Sequence, residues 1–312
     1  MDMAIQHELF GPENLWGIDL GGTKVEGVIL RSAADPNVLW RDRLPTGSEK
    51  GYDHITGQIA TLVELMKSVS GQFPVHIGMA TPGIRDPRTG TMKNCNSTAL
   101  NGRTLQEDLE SALGTRFLLA NDANCFALAE ARMGVVRERF PEARVVFGVI
   151  MGTGVGGGVV VDGKVISGLN GNGGEWGHNF LDASGLPCYC GKSGCVEQVL
   201  SGPALQHYYT SLTGTHKTMQ EIHSAFLAGT DAAAAATIER LTTLFAKAIS
   251  VVINILDPDV IVVGGGVGNI DELYTSGREG ILQHMFNNRL DTPIVKPMLG
   301  DSAGVFGAAY LR

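Results

Sequence analysis

Several features are scarce in this chain of 312 residues, and each absence argues against a class of protein. No apolar run reaches the roughly 18 residues that a membrane-spanning helix needs. Lys and Arg number 24 against 32 for Asp and Glu, and this net charge of −8 argues against binding to nucleic-acid phosphates. Five cysteines are too few for a disulfide scaffold in a chain of this length. The first 20 residues lack the basic-then-apolar pattern of a signal peptide. We therefore expect a cytoplasmic protein with neither a membrane nor a nucleic-acid partner.

Strand and helix patterns alternate along the chain, which is typical of the α/β class. Residues 15–31, LWGIDLGGTKVEGVILR, predict a strand, a glycine turn and a second strand. The same theme returns at 145–166, VVFGVIMGTGVGGGVVVDGKVI, and a third glycine turn follows the buried strand of DVIVVGGGVGN. This repetition predicts two lobes of related architecture. We place the first lobe at 1–121, joined by a C-terminal helix at 302–312, and the second lobe at 122–301.

Two long helices are predicted from apolar residues at three- and four-residue steps. The first presents Ile55, Ile59, Leu62, Met66 and Val69 on one face. The second presents Ile238, Leu241, Phe245, Ala248, Val252 and Ile255, and ends at the proline of Asp257-Pro258. A shorter helix after Thr104 has Glu107 in the position of a capping box.

Glycine turns at strand ends allow close approach of a ligand, and their successive N–H groups can bind an anion. A single turn of this kind is often only a hairpin, but three in one α/β chain favour phosphate binding. Gly152, Gly154 and Gly157 have the spacing of a dinucleotide-binding motif, yet a strand follows where that motif needs a helix. Asp19, at the end of the first strand, could hold Mg²⁺ directly or through water, with hydroxyl donors nearby from Thr23 and Thr153.

Five motifs in this order resemble the ROK family of sugar kinases: GIDLGGTK, GTGVGGG, EWGH, CYCGKSGCVE and VIVVGGG. The resemblance covers nearly the whole chain. It implies a two-lobed actin-like (RNase H-like) ATPase fold with a ligand cleft between the lobes, and it implies ATP and Mg²⁺ as cofactors. The reaction it implies is phosphoryl transfer to a sugar hydroxyl, carried out by a homodimer.

The resemblance assigns ATP and Mg²⁺ to the three glycine turns. The residues concerned are Asp19, Gly21, Gly22, Thr23 and Lys24, then Gly152, Thr153, Gly154, Gly156 and Gly157, then Gly264, Gly265 and Gly266.

Asp122 is the candidate catalytic base, since it stands where a strand gives way to a helix and the base of the family occupies the corresponding place. A carboxylate at a helix N-terminus is expected to stay ionised and ready to accept a proton. The alternative is that Asp122 merely caps that helix. For the sugar, the resemblance implies contacts from Glu175, His178 and Glu197. Asn121 and Asp122 are candidates as well, since the Asn121 amide can both donate to and accept from vicinal hydroxyls. We add Asn96 and Thr98 from the first lobe.

Cys188, Cys190 and Cys195 stand close together after His178, and four such ligands suit tetrahedral zinc. The C-x-C-x₄-C spacing is not that of a standard zinc finger, so a redox-active thiol group or no special role are alternatives. The resemblance implies a zinc ion at this motif. Four protein ligands leave no position for a substrate, so the zinc should be structural and should fix His178 relative to Glu197.

The motifs NSTALNG and GNGGEWGHN look most like the fructokinase and mannokinase branch, so we expect phosphorylation of D-fructose, and also of mannose, at the 6-hydroxyl. N-acetylglucosamine kinase or glucokinase is the alternative within the class, and NDANCFALAEA is shared with N-acetylglucosamine kinases. A sugar-responsive repressor of the same family is the alternative from another class. It is disfavoured because residues 1–14 are too few for a helix-turn-helix domain.

Overall fold

The computed structural model describes residues 10–312. The first nine residues, which entered the search for a signal peptide, lie outside this range. The strands are β1 (Leu15–Leu20), β2 (Lys24–Leu30), β3 (Val38–Pro45), β4 (His76–Thr81), β5 (Ile84–Arg85), β6 (Met92–Lys93), β7 (Arg116–Asn121), β8 (Val145–Met151), β9 (Val155–Val161), β10 (Lys164–Val165), β11 (Val260–Gly264) and β12 (Ile294–Val295). The α-helices are α1 (Tyr52–Ser70), α2 (Leu105–Leu113), α3 (Asp122–Arg132), α4 (Val135–Arg139), α5 (Glu197–Leu200), α6 (Gly202–Thr213), α7 (Met219–Leu227), α8 (Ala232–Leu256), α9 (Ser276–Gly280) and α10 (Ala303–Ala309).

The α/β class is confirmed, and the chain forms two compact units. Within the described residues, unit 1 consists of the chain up to Pro141, Gly158–Gly173 and Met298–Arg312. Unit 2 consists of Glu142–Gly157 and Gly174–Pro297. The predicted lobe boundary at 121/122 does not coincide with the unit boundary at 141/142, because α3 packs against α10 and β10 of unit 1.

Unit 1 is built on a five-stranded sheet with the order β3-β2-β1-β4-β7. The first glycine turn joins β1 to β2 as an antiparallel hairpin, as the sequence predicts, while β4 and β7 add parallel neighbours. The register sets Thr81 opposite Asn121, so both strands end at the same edge. That edge is where α3 begins and where Asp122 lies.

The apolar face predicted for α1 is confirmed. Ile55, Ile59, Leu62 and Met66 are fully buried against the sheet, and Val69 is half-buried at the margin of this core. The predicted capping box of α2 is wrong, because Thr104 makes no side-chain cap and Glu107 pairs instead with Arg85.

The C-terminal helix α10 lies in unit 1 and approaches the sheet through glycines. A Cβ atom at Gly78 would stand 1.7 Å from the Ala308 carbonyl oxygen, and one at Gly17 would stand 2.4 Å from the Val305 carbonyl oxygen. On its other side, Gly307 approaches the Cys125 carbonyl of α3 equally closely. Because no side chain fits at these positions, α10 can lie directly against the β1 and β4 backbones.

In unit 2, the strands β8, β11 and β12 lie side by side in this order and run parallel. The strand β9 begins in unit 2 and continues into unit 1, where it pairs antiparallel with β10. The long helix α8 buries Ile238, Leu241, Phe245 and Ala248 as predicted. The prediction is wrong for Ile255, which is 81% exposed, because the buried face moves to Ile249 and Ile253 as the 3.6-residue period advances.

Among residues 10–312, no helix combines the length and the apolar character that crossing a membrane requires.

Candidate active site

The first glycine turn is a closed and well-tethered loop of unit 1. The Gly21 N–H donates to the Lys24 carbonyl at 2.9 Å, which closes the turn between β1 and β2. The hydroxyl of Thr46 donates to the Gly21 carbonyl at 2.8 Å, and that of Ser48 donates to the Gly22 carbonyl at 2.9 Å. A Cβ atom at Gly22 would stand 3.7 Å from Ser97 Oγ, so the loop that carries Asn96 and Thr98 lies beside this turn.

Asp19 belongs to a group of acidic side chains at this turn. Burial, the negative charge of Asp122 and that of Glu26 raise its pKa to about 6, against a smaller opposing effect of Lys24. Such a concentration of carboxylates suits a hydrated divalent cation, which would offset their repulsion. The residues present therefore fit the predicted Mg²⁺.

Lys24, predicted to bind ATP, directs its Nζ to Glu26 Oε2 at 3.1 Å. Glu26 is 1% exposed and also pairs with Arg41. Although burial alone would raise it, hydrogen bonds from Arg41 and Lys24 hold the pKa of Glu26 below its ordinary value. Glu26 was not predictable from the sequence, because it lies within a strand pattern and carries no motif of its own.

Asp122 is the first residue of α3, and the interpretation that it is only the helix cap is wrong. Asn121 is the cap, because its side-chain oxygen accepts the Asn124 N–H at 2.9 Å. The Asp122 carboxylate accepts the Ala123 N–H at 2.7 Å and stays accessible to solvent. The protein atoms around it nevertheless raise its pKa, and this outweighs the lowering effect of the backbone hydrogen bond. An accessible carboxylate with a raised pKa is suited to accept a proton.

Asn96 and Thr98 are exposed on the loop between β6 and α2. Asn101 holds this loop in shape, since its side chain accepts the Cys95 N–H at 2.9 Å and donates to the Cys95 carbonyl at 3.2 Å. Asn101 was not singled out from the sequence, although it lies within the quoted NSTALNG motif.

The second glycine turn, in unit 2, is joined to a predicted sugar contact. Its Gly152 N–H donates to the Gly154 carbonyl at 2.9 Å. Glu197 Oε2 accepts the Val155 N–H at 3.1 Å, and a Cβ atom at Gly154 would stand 2.7 Å from the same oxygen. The position of Glu197 is therefore set by the turn that is predicted to bind phosphate.

Gly156 and Gly157 lie beyond this turn, in β9, where they accommodate Trp176. The indole N–H of Trp176 donates to the Gly156 carbonyl at 3.0 Å, and a Cβ atom at Gly157 would stand 2.5 Å from the indole ring. These contacts seat the 3₁₀ turn Trp176–His178, which Glu175 precedes as its cap. The structure thus gives both glycines a packing role beside the phosphate role that the resemblance implies.

The third glycine turn follows β11 and lies beside the second. Gly265 has φ +84°, and a Cβ atom there would stand 2.3 Å from the Met151 carbonyl oxygen, so only glycine fits. Gly266 lies close to Gly152, since a Cβ atom at Gly152 would stand 3.8 Å from the Gly266 nitrogen.

Unit 2 contains a pocket of about 540 Å³ that begins at these two turns, a size within the range of small-molecule sites. Gly152, Thr153 and Gly266 form one end of it. The remainder was not predicted from the sequence, because its residues are scattered along the chain without a motif: Gly202, Pro203, Gln206, Thr218, Met219, Gln220, His223, Val267, Asn269 and Ile270.

His178 and the three cysteines converge, and their ligand atoms all lie within 4.8 Å of one another. Cys188 Sγ is 3.5 Å from His178 Nδ1, and Cys190 Sγ is 3.6 Å from Cys195 Sγ. Tetrahedral zinc with ordinary bond lengths would set such S···N and S···S edges at about 3.5 and 3.8 Å. All the cysteines are free thiols, and the donor set fits zinc better than a redox pair.

The other nitrogen of His178 is also engaged. Nε2 is 2.9 Å from the Tyr189 hydroxyl, and the two rings meet edge to face with centroids 5.0 Å apart. The sequence motif predicts both a zinc contact and a sugar contact for His178, and nothing in it indicates the contact with Tyr189.

Two solved structures share this fold along nearly the whole chain. A ROK hexokinase from Thermus thermophilus superposes with a TM-score of 0.85 at 30% identity, covering 95% of this chain and 97% of the other. A ROK glucokinase from Streptomyces griseus, in complex with glucose and AMPPNP, gives 0.73 at 25% identity, covering 95% and 98%. The fold is that of ATP-dependent sugar kinases with the actin and hexokinase-like architecture.

The chain belongs to the ROK family, whose model matches residues 15–312. Curated relatives include the N-acetyl-D-glucosamine kinases of Erwinia tasmaniensis, 35% identical over 95% of this chain and 98% of the relative, and of Vibrio cholerae, 34% identical over 95% and 99%. The expected fructokinase and mannokinase branch is not supported by these relatives.

Proposed function

We propose that this protein transfers the γ-phosphoryl group of ATP to the 6-hydroxyl of N-acetyl-D-glucosamine. The observation that carries the choice of sugar is identity of 33–35% over 95% of the chain to N-acetyl-D-glucosamine kinases. Fructose, the substrate first expected from NSTALNG, has no comparable support. N-acetylglucosamine kinase, the alternative given in the sequence analysis, is therefore better supported than fructokinase.

Asp122 is the proposed base. In this scheme it takes the proton of the 6-hydroxyl as that oxygen bonds to the γ-phosphorus and the bond to the ADP oxygen breaks. Its accessibility and its raised pKa support this role. Asn121, Asn96 and Thr98 are the proposed sugar contacts of unit 1. Mg²⁺, when bound near Asp19, would neutralise phosphate charge.

Unit 2 supplies the proposed nucleotide pocket. The N–H groups of the second and third glycine turns suit phosphates, and the space that extends towards Met219 and Ile270 suits the nucleoside. Glu175, His178 and Glu197 are the proposed sugar contacts of this unit. Because Glu197 is bonded to the second turn, its position and that of the phosphate turn are set together.

His178, Cys188, Cys190 and Cys195 are the proposed zinc ligands. Zinc would cross-link residues 178–195 and leave no coordination site for substrate, so its effect on sugar binding is indirect. A reducing cytoplasm, which keeps thiols free and supplies ATP, is the compartment that suits this proposal. The homodimer stays a prediction.

A coupled assay of ADP release tests the proposal with N-acetylglucosamine, N-acetylmannosamine, glucose, mannose and fructose. We expect the highest kcat/KM with N-acetylglucosamine. A higher value with fructose would overturn the choice of sugar, and no turnover of any of the five would overturn the activity. The Asp122→Asn protein serves as the blank for contaminating kinases.

A further inference from the structure

Unit 1 contains a cavity of about 530 Å³, and among its lining residues only Asn121 belongs to the proposed substrate site. It runs beside β7, the edge strand of the sheet, and along one face of α3, where Asn124, Leu128 and Arg132 recur at four-residue steps. A helix rises about 1.5 Å per residue, so Arg132 lies roughly 15 Å along the axis from Asp122. The end of the cavity at Arg132 is therefore remote from the proposed base, whereas Asn121, next to Asp122, also lines the cavity.

The lining of this cavity is cationic. Arg85, Arg132, Lys164 and Arg312 all contribute to it, and its lining includes no Asp or Glu. Arg85 is partly neutralised by Glu107, and Arg132 donates to the Gly163 carbonyl. Lys164 and Arg312 are exposed and form no ion pair with any of residues 10–312. Such a cluster on a chain of net charge −8 indicates an anionic ligand.

Three buried polar atoms of the lining lack a hydrogen-bond partner among residues 10–312: Asn124 Oδ1, Arg85 Nε and the Tyr310 hydroxyl. Asn124 is only 2% exposed, yet its Oδ1 accepts no hydrogen bond from residues 10–312. Arg85 Nε is likewise buried without an acceptor. Buried polar groups are nearly always satisfied, and an unsatisfied one costs about 1–3 kcal/mol. A ligand that offers both a hydroxyl donor and oxygen acceptors would satisfy Asn124 Oδ1 and Arg85 Nε.

We propose that this cavity binds a sugar phosphate. Lys164 and Arg312 hold its phosphate group, a sugar hydroxyl donates to Asn124 Oδ1, and Arg85 Nε donates to a ligand oxygen. The site borders the proposed substrate site, because Asn121 lines the cavity and Asn124 lies in the first turn of the helix that begins with Asp122.

Isothermal titration of the full chain with glucose 6-phosphate and with inorganic phosphate tests the proposal. The active site is first saturated with N-acetylglucosamine and AMPPNP, so that the probes report a second site. We expect glucose 6-phosphate to bind once per chain and more tightly than phosphate. No binding at about 10 mM, or equal affinity for the two probes, would overturn the proposal.

Variants locate the site. The double variant Lys164→Gln, Arg312→Gln should bind both probes about tenfold more weakly, since two charge-assisted hydrogen bonds are lost. The control Lys50→Gln removes an exposed lysine of unit 1 outside the cavity and should bind like the wild type. Equal affinities of the double variant and the control would refute the site.

Asn124→Leu should weaken glucose 6-phosphate while leaving phosphate unchanged, and an unchanged affinity for glucose 6-phosphate would contradict the hydroxyl contact. If the Asn124→Leu protein does not fold, the double variant Lys164→Gln, Arg312→Gln at the surface still tests the proposed site. Repeating the titration on Asp122→Asn separates this site from the proposed function, because its binding requires no turnover.

Discussion

The Tyr189 hydroxyl lies 2.9 Å from Nε2 of His178, while Nδ1 of the same ring faces Cys188 Sγ at 3.5 Å. A zinc ion on Nδ1 would leave the proton on Nε2, so the imidazole would donate to the Tyr189 oxygen. Zinc would then occupy Nδ1, and the Tyr189 hydroxyl would occupy Nε2. A sugar reaches His178 only by displacing the Tyr189 hydroxyl.

Tyr189→Phe should therefore lower the KM for the sugar by about two- to tenfold, since a hydrogen bond of about 0.5–1.5 kcal/mol no longer competes. Steady-state kinetics should show an unchanged KM for ATP. The control is Tyr208→Phe, a change at a half-buried tyrosine of unit 2 that is not among the proposed site residues. A raised KM for the sugar would instead show that the Tyr189 hydroxyl itself contacts the substrate.

Asp122→Asn removes the proposed base while preserving the side-chain shape. We expect kcat to fall about 10²–10⁴-fold, the usual contribution of a general base. ATP affinity, measured by titration with AMPPNP, should change little. Asp42→Asn, at an exposed position on β3, controls for the loss of one negative charge. Turnover of Asp122→Asn at the wild-type rate would remove Asp122 from the mechanism.

The pH dependence of kcat follows from the raised pKa of Asp122. A base acts in its deprotonated form, so the rate should fall as the pH drops through that pKa. The midpoint of this acid limb should lie above about 4, the ordinary value for aspartate. Rates measured from pH 4.5 to 8 in buffers of constant ionic strength check this. Constant kcat down to pH 4.5 would contradict a raised value.

Cys190→Ser should abolish the binding of zinc, because three remaining ligands hold the metal far more weakly than four. Elemental analysis should show about one zinc per chain in the wild type and almost none in the variant. We also expect the KM for the sugar to rise more than the KM for ATP. Ser193→Ala, in the same loop but without a ligand, should retain the metal. Unchanged sugar affinity without zinc would refute the positioning role.

Gly78→Ala tests how closely α10 packs on unit 1. The added methyl would stand 1.7 Å from the Ala308 carbonyl oxygen, so the helix must shift, at a cost of about 3 kcal/mol in the free energy of unfolding. Gly57→Ala is the matched control, because nothing lies within 4 Å of its Cβ position in α1. That change should stabilise the protein by about 0.5–1 kcal/mol. Urea denaturation of both variants compares the two effects, and equal stabilities would show that α10 does not depend on Gly78.

Local patterns predicted much of the fold. The hairpin at Gly21 and the buried face of α1 follow from strand alternation and helical spacing, which depend on neighbouring residues only. Ile255 was wrongly placed in the core because a step of three residues drifts away from the 3.6-residue period. Glu107 was wrongly given to a helix cap because its actual partner, Arg85, is 22 residues away.

The site was predictable where a motif marks it. The four proposed zinc ligands lie within 18 residues and do converge, and the glycine turns do follow strands. The ion pairs of Glu26 with Lys24 and Arg41, and most of the 540 Å³ pocket, were not predictable, because they depend on residues that only the tertiary structure brings together. Raised pKa values such as that of Asp122 are likewise a property of packing. From the sequence, the position of Asp122 at a helix N-terminus predicts the opposite, a lowered pKa, because the helix dipole favours the charged form of a carboxylate.

The order of segments along the chain affects how the protein is made. Unit 1 includes Met298–Arg312, so its N-terminal portion emerges from the ribosome without the helix that covers Gly17 and Gly78. All of unit 2 is synthesised before that helix appears. Synthesis proceeds at about 5–20 residues per second, so the β1 and β4 backbones remain uncovered by α10 for many seconds. The unit whose translation begins first is therefore completed last, and the β1 and β4 backbones stay uncovered until the final residues have been synthesised.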